Sequence, residues 1–217
     1  MTFLDRADAG RRLAERLQWL KGQDLVVLGL PRGGVLVAAE VAEALGAPLD
    51  VIVVRKLGVP WQPELAMGAI GEGGVRVVNQ RVVRELGASV QVLDSVQAVE
   101  AEALARRLAL LRADRPPLPL FGVTAVVVDD GIATGATAMA ACQVVRRRGA
   151  RRVVLASPVA ARHHRSELLE VADSLVCVEE PRRLRAIGEL YDDFSPVTDE
   201  QVLGVLEGTR DRARLRA

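Results

Sequence analysis

The sequence is poor in aromatic residues and cysteine, and it has no long apolar run. Aromatic residues make up 3% of the 217 residues, too few for the stacking surfaces that bind single-stranded nucleic acid. The two cysteines, Cys142 and Cys177, lie far apart without metal-ligand spacing, which predicts small core residues in a reducing compartment. Because no membrane-length run and no N-terminal signal pattern occur, we expect a cytoplasmic protein with no membrane partner.

Lysine is nearly absent. Of the 29 basic residues, only Lys21 and Lys56 are lysines, and the other 27 are arginines. Lys56 is therefore notable, because arginine has not replaced it. The net charge is +1 and the arginines are scattered along the chain, so we expect no nucleic-acid partner.

Two common nucleotide-binding motifs are also missing. No G-x-x-x-x-G-K-[ST] occurs, which argues against a P-loop NTPase. No G-x-G-x-x-G follows the first predicted strand, which argues against a Rossmann dehydrogenase.

Apolar runs and helix patterns alternate along the chain. Strands are predicted over 24–30, 50–54, 75–78, 123–128, 153–156 and 175–178. Helices are predicted over 5–21, 35–45 and 79–113, and a further helix begins after the motif of the following paragraph and ends at Gly149. Thr198 and Gln201 form a capping-box pattern that predicts a C-terminal helix. The strand–helix–strand unit at the start implies a parallel sheet with a right-handed crossover. The predicted fold class is therefore α/β, with a parallel sheet flanked by helices.

The stretch from Val126 to Thr137, VVVDDGIATGAT, carries the strongest functional signal. A buried strand ends in two adjacent carboxylates, Asp129 and Asp130, and a turn rich in glycine and threonine leads into a helix. Backbone N–H groups and the helix dipole at such a turn favour a phosphate. Since ligands bind at the carboxyl ends of strands in open α/β sheets, we expect a ligand with a phosphate and with hydroxyls or Mg²⁺. The alternative is a junction whose acids only cap the helix.

This stretch resembles the 5-phosphoribosyl-1-pyrophosphate (PRPP) motif of type I phosphoribosyltransferases. The resemblance implies that Asp129 and Asp130 act in catalysis, by binding the ribose hydroxyls and Mg²⁺. It also implies a 5′-phosphate site in the loop of Ala133, Thr134, Gly135, Ala136 and Thr137. The resemblance covers about residues 24–180 and extends to an uncharacterised bacterial subgroup of the family. Members acting on hypoxanthine and guanine carry aspartate at the position of Ala133, whereas alanine matches adenine-type members.

A second tight loop, GLPRGG, joins the first predicted strand to its helix at residues 29–34. Gly33 and Gly34 allow backbone N–H groups to approach an anion closely, and Arg32 can bind a phosphate with two N–H groups. In the phosphoribosyltransferase family the corresponding loop holds pyrophosphate. The alternative is an ordinary turn between a strand and a helix.

Arg55 and Lys56 follow the second predicted strand. On the same rim of the sheet, two cations would neutralise a pyrophosphate leaving group, and Lys56 is the candidate for a catalytic role. The alternative is a solvated pair at the end of a strand.

Residues 57–74 contain two prolines and five glycines and predict an irregular loop. A loop of this length in a compact domain is usually functional or mobile. The family has a flexible loop that closes over the substrate, and this stretch would be its counterpart. Glu64 would then transfer a proton and Trp61 would cover a flat base; alternatively, both residues only order the loop.

Two further groups of residues favour structural roles. His163 and His164 have no third ligand nearby in sequence, so we expect an exposed pair at the start of a helix rather than a metal site. The arginines at 146–148 and 151–152 are expected to complement the dipole at the end of a helix, rather than to bind RNA.

Together these patterns predict one domain over residues 1–217 with a type I phosphoribosyltransferase-like fold. The core would cover about 22–157, and a small hood over about 158–217 would recognise the base, with a contribution from the N-terminal helix left open. The resemblance implies a glycosyltransferase of nucleotide metabolism that transfers phosphoribose from PRPP to a nitrogenous base or amine, with Mg²⁺ as cofactor. The alternative is a non-catalytic sensor of PRPP or a nucleotide. The acceptor and a homo-oligomeric state are left open.

Overall fold

The computed structural model describes residues 2–112 and 115–214, apart from the side chains of Pro63, Glu64 and residues 210–214. The strands are β1 (Leu25–Gly29), β2 (Leu49–Val51), β3 (Val54–Val59), β4 (Gln62–Gly71), β5 (Val75–Val78), β6 (Thr124–Val128), β7 (Arg152–Val159) and β8 (Ser174–Glu179). The helices are α1 (Arg6–Arg16), α2 (Gly33–Leu45), α3 (Gln80–Glu85), α4 (Val90–Arg112), α5 (Ala136–Arg147), α6 (Arg165–Val171) and α7 (Asp199–Arg214). None of these described helices is long and apolar enough to cross a membrane.

Five parallel strands form the main sheet in the order β2-β1-β6-β7-β8. Alternate residues of β6 face opposite sides: Val126 and Val128 pack with α1 and α2, while Ala125 and Val127 pack with α5. Both faces are buried, which explains why the strand reads as a continuous apolar run. The expected α/β fold with helices on both sides of a parallel sheet is confirmed.

A second sheet contains β3, β4 and β5 in antiparallel order. The expectation of an irregular loop over 57–74 is therefore wrong, because most of this segment lies in a β-hairpin. Its glycines allow close packing: a Cβ at Gly68 would lie 2.1 Å from the backbone oxygen of Val77, and one at Gly71 would lie 2.5 Å from the Val144 side chain. Glycine in a strand often marks such an approach rather than a loop.

A buried ion network attaches this second sheet to the main one. Arg112, at the end of α4, donates to Glu72 through Nε at 2.5 Å and Nη2 at 2.6 Å, and to Asp50 of β2 through Nη1 at 2.5 Å. Arg148 approaches Glu72 at 3.7 Å from the end of α5. The guanidinium of Arg112 is buried, and its carboxylate partners raise its pKa despite that burial. The network fixes the hairpin beside the carboxyl ends of β1 and β2.

The helical segment expected over 79–113 is divided into α3 and α4, with Gly87 between them at a φ of 60°. The expected capping box of α7 is present, since Thr198 N donates to Gln201 Oε1 at 2.8 Å and Gln201 N donates to Thr198 Oγ1 at 3.3 Å. Both cysteines are free; Cys142 is buried in the core and Cys177 is partly buried.

The N-terminal segment packs against residues 187–195. Phe3 is buried and its ring lies 5.2 Å from that of Tyr191, and Phe3 N donates to Leu190 O at 2.8 Å. Within the expected hood, β8 is the fifth strand of the main sheet. A role of the remaining hood residues in base recognition stays a prediction.

Candidate active site

The two predicted anion loops meet at the carboxyl edge of the sheet. β1 and β6 are neighbouring strands, and their hydrogen bonding continues one residue beyond β1, where Leu30 N donates to Val128 O at 2.8 Å. The chain leaves β1 toward α2 on one face and leaves β6 toward α5 on the other. This reversal of direction is the topological switch point at which open α/β sheets bind ligands.

The acid pair follows β6 at that point. Asp129 N donates to Ala156 O at 3.2 Å, and Asp129 Oδ1 accepts a hydrogen bond from Asp130 N at 3.0 Å. Burial, and secondly the charge of Asp130, raise the pKa of Asp129 to about 8. The Asp129 carboxyl therefore holds a proton near neutral pH unless a hydroxyl donor or a cation stabilises its charged form.

The threonine-rich turn that follows is open to solvent. Gly135 adopts a left-handed conformation with a φ of 74° and precedes the first residue of α5. Thr134 and Thr137 are exposed beside it, as is Ala133. The N–H groups of the first helical turn lack partners within the helix, so an anion at this exposed turn would accept hydrogen bonds from them.

The glycines of the first loop lie directly against the acid pair. A Cβ at Gly33 would lie 1.8 Å from Asp130 Oδ2, and one at Gly34 would lie 2.9 Å from Asp129 Cα. The two loops therefore touch at positions where only glycine leaves room. Arg32 is exposed at the start of α2, and the peptide bond between Pro31 and Arg32 is cis.

A cleft of about 160 Å³ joins three of the predicted segments. Its lining includes Pro31 of the first loop, Arg55 at the start of β3, and Thr137 of the threonine-rich turn. Arg107 of α4 also lines it. The sequence patterns did not reveal Arg107, because the apolar spacing over 79–113 indicates only the buried face of the helix. Ala103 lines the same cleft one helical turn earlier, and this i, i+4 spacing is the signal that could have identified the face.

The placement of Arg55 and Lys56 differs from the expectation. β2 ends at Val51, and both residues belong to the antiparallel β3. Successive side chains of a strand point to opposite faces, so the pair cannot act from one face. Arg55 lines the cleft and donates from Nε to Glu100 Oε2 at 2.7 Å. The other cleft arginine, Arg107, is paired with Asp199 of α7.

The second acid has partners that the sequence did not reveal. Arg6 of α1 donates from Nε to Asp130 Oδ2 at 2.7 Å. Tyr191 donates from its hydroxyl to the backbone oxygen of Asp130 at 2.6 Å. Burial, followed by the charge of Asp130, raises the pKa of Tyr191, so the phenol remains a donor. Asp130 is thus held by two residues distant in sequence, Arg6 before it and Tyr191 after it.

The remaining candidates lie elsewhere or outside the described side chains. His164 Nδ1 lies 3.1 Å from Glu167 Oε2 at the start of α6, in keeping with the expected surface pair. Arg146 pairs with Asp173 at 2.7 Å in the last turn of α5. The backbone of Glu64 belongs to β4, but its side chain is outside the described part, so its proposed proton transfer stays a prediction. Among the described residues no group of three histidines, cysteines or acids could hold a metal ion.

The fold and the paired anion loops define a protein of the phosphoribosyltransferase type, and comparisons with known proteins agree. The phosphoribosyl transferase domain family matches residues 3–191. Two proteins of Mycobacterium tuberculosis (strains CDC 1551 / Oshkosh and ATCC 25618 / H37Rv), each named "Putative phosphoribosyl transferase", are 53% identical over 205 residues, which is 94% of this chain and 46% of theirs. The protein TT1426 from Thermus thermophilus is 45% identical with a TM-score of 0.86, over 95% of this chain and 98% of that structure. The chain belongs to the phosphoribosyl transferase domain family.

Proposed function

We propose that this protein transfers the phosphoribosyl group of PRPP to a nitrogenous base or amine and releases pyrophosphate. The observation that supports this most is the contact between the two anion loops, in which Gly33 packs against Asp130. A single ligand with phosphate groups at both ends and a diol between them matches this arrangement. PRPP has this composition.

We assign each part of PRPP to residues at this edge of the sheet. The turn from Ala133 to Thr137 would bind the 5′-phosphate through backbone N–H groups and threonine hydroxyls. Asp129 and Asp130 would accept hydrogen bonds from the ribose hydroxyls. The loop containing Arg32, Gly33 and Gly34 would bind the pyrophosphate, with help from the cleft arginine Arg55. Lys56 remains a candidate for binding the pyrophosphate of PRPP, from the other face of β3.

The chemistry would take place at C1 of the ribose. The bond from C1 to the pyrophosphate oxygen breaks, a bond from C1 to the acceptor nitrogen forms, and the proton of the acceptor nitrogen passes to solvent water. Positive charge develops on the ring during the exchange, and fixed cations stabilise the departing pyrophosphate. The 5′-phosphate is remote from the reacting atoms, so its binding orients C1 and reduces the entropic cost of the reaction.

The acid pair offers donors that suit Mg²⁺. This ion usually takes one or two protein carboxylates together with phosphate oxygens and water. Because the described residues offer no third acidic or imidazole ligand, the phosphates of the substrate would have to supply much of the coordination. Asp129 and Asp130 would hold the ion, and when bound it would neutralise charge on pyrophosphate.

The test is a screen for pyrophosphate release with PRPP, Mg²⁺ and a panel of bases and amines. Release with one acceptor, lost in Asp129→Asn/Asp130→Asn, would support the transferase. Binding of PRPP without release by any acceptor would instead favour the non-catalytic sensor. Equal PRPP affinity in the wild type and the double variant would refute the site. Alanine at position 133 makes adenine the first base to include.

A further inference from the structure

The Arg6 side chain lies outside the two anion loops, yet it contacts Asp130 of the acid pair directly. Its Nε donates to Asp130 Oδ2 at 2.7 Å and its Nη1 donates to Ser195 O at 2.9 Å. The guanidinium carbon lies 4.0 Å from the centre of the Phe194 ring. Arg6 is only 9% exposed. Three anchors of different kinds therefore fix one buried arginine in one orientation.

The Asp130 group is fixed from several directions as a result. Arg6 holds Oδ2, the Tyr191 hydroxyl holds the backbone oxygen, and the Cα of Gly33 lies against the carboxylate. None of these three contacts involves Oδ1, the other carboxylate oxygen of Asp130. A charge-assisted hydrogen bond is shorter and stronger than a neutral one, so it holds the carboxylate firmly, and a carboxylate oxygen accepts hydrogen bonds from hydroxyl groups.

The contact between Arg6 and Asp130 matters because a second acid, Asp129, is the adjacent residue. Asp129 lies beside Asp130 without a comparable contact to a cation among the described residues, and two like charges at adjacent positions oppose each other. The contact with Arg6 fixes which way the Asp130 carboxylate points before the ligand arrives.

We propose that Arg6 is a positioning residue that orients Asp130 for the 2,3-diol of the ribose ring. The inference rests on the proposed function, because it assigns the diol to the acid pair. It adds a residue from the N-terminal helix, 124 positions from Asp130 in sequence, to a site otherwise built from two loops. Arg6 would not touch the substrate itself.

The experiment separates recognition of the diol from recognition of the phosphate. Two ligands, 1,4-anhydroribitol 5-phosphate and tetrahydrofurfuryl phosphate, differ only in the two ring hydroxyls. Calorimetry gives their affinities for the full chain, and the ratio of the two affinities measures the diol preference. The variants are Arg6→Met, which keeps the aliphatic stem, and Arg6→Lys, which keeps a charge but cannot donate to Asp130 and Ser195 together.

The expected result is a diol preference in the wild type that falls roughly tenfold in Arg6→Met, the size associated with a hydrogen bond to a charged group. The diol preference of Arg6→Lys should lie between that of the wild type and that of Arg6→Met. The affinity for tetrahydrofurfuryl phosphate should stay unchanged, which a general loss of structure would not allow. Arg12→Met is the matched control, since Arg12 lies on the same helix but pairs with Asp8 at 2.8 Å; its diol preference should equal that of the wild type.

Three outcomes would overturn the proposal. An unchanged diol preference in Arg6→Met or Arg6→Lys would refute positioning by Arg6 while leaving the proposed function intact. Tighter diol binding in either variant would show that Arg6 competes with the ligand. Absence of a diol preference in the wild type would refute both the inference and the ribose site on which it rests. If Arg6→Met does not fold, Arg6→Lys alone decides among these outcomes.

Discussion

The Cα of Gly33 faces the carboxylate of Asp130 so closely that a methyl group there would lie 1.8 Å from Oδ2 and 2.7 Å from Arg6 Nε. Gly33→Ala is therefore expected to displace the Asp130 side chain, which cannot swing away freely because Arg6 holds it. We expect a loss of about 1–3 kcal/mol in unfolding free energy and a loss of PRPP affinity. Chemical denaturation and calorimetry measure the two effects.

Gly204→Ala is the matched control, because a Cβ at this position in α7 meets nothing within 4 Å. Replacement of a helical glycine by alanine should raise the unfolding free energy by up to about 1 kcal/mol. PRPP affinity should stay the same. A Gly33→Ala protein that binds PRPP as the wild type does would contradict the tight contact between the loops.

Asp129 gives the stability of the protein a defined pH dependence. Its pKa is raised from 3.8 to about 8 in the folded state, so between these values the folded protein keeps a proton that the unfolded chain has released. Unfolding free energy should therefore fall as pH rises through this window, by up to about 1.4 kcal/mol per pH unit. The contribution levels off above about pH 8.

Asp129→Asn isolates this effect, because asparagine resembles the protonated acid. The unfolding free energy of the variant minus that of the wild type should increase from pH 5 to pH 8 when both are denatured in the presence of EDTA. Other titrating groups cancel in the difference. A difference that is flat or decreases over this range would show that Asp129 is ionised in the folded protein.

Arg55 and Lys56 can be distinguished by their binding of pyrophosphate. Arg55 lines the cleft, so Arg55→Ala should weaken pyrophosphate binding by roughly tenfold, the size of a charge-assisted hydrogen bond. Lys56→Ala should weaken it less. Glu100→Gln removes the carboxylate that holds Arg55 at 2.7 Å and should strengthen binding. A larger effect at Lys56 than at Arg55 would restore the role that the sequence suggested for the lysine.

The buried network around Arg112 is expected to be costly to break. Glu72→Gln removes one of the two carboxylates that face the guanidinium, and loss of one partner of a buried ion pair lowers the unfolding free energy by about 3 kcal/mol or more. Glu85→Gln, in the exposed pair with Arg81, should leave stability unchanged within error. Equal stability of the two variants would mean that the network does not hold the sheets together.

Hydrogen exchange tests the hairpin formed by β3 and β4. Arg55 and Lys56 are paired with Ile70 and Ala69, so amides in these strands should be protected even without ligand. A mobile lid over the whole of 57–74 would instead exchange fast throughout this segment until PRPP is added. Fast exchange of the paired amides in the free protein would contradict the hairpin. Slower exchange confined to residues 59–62 on addition of ligand would restrict closure to the turn.

The main sheet and the acid motif could be predicted because their signals are local. A strand buried on both faces must be apolar at nearly every position, as β6 is from Thr124 to Val128 apart from its first residue. The anion turn depends on the few residues between Asp129 and Thr137. The family resemblance added PRPP as the expected ligand to a pattern that already indicated phosphate.

The second sheet and the settings of the charged groups could not be predicted in this way. Gly68 and Gly71 resemble loop residues until the strand and helix that press against them are known. Arg6 is one of 27 arginines, and no local pattern distinguishes the one that reaches Asp130. Such pairings depend on contacts between distant parts of the chain, which periodicity and spacing do not encode.

The contacts of Arg6 also bear on how the protein is made. The bond from Arg6 to the backbone of Ser195 joins residues 189 positions apart, so it cannot form until residue 195 has left the ribosome. Contacts of such long sequence separation tend to slow folding, because much of the chain must be ordered before they form. A nascent chain that has already folded β1 and β6 would still lack the contacts that orient the Asp130 side chain. On the proposed function, the full preference for the ribose diol would therefore be reached only after these distant residues meet.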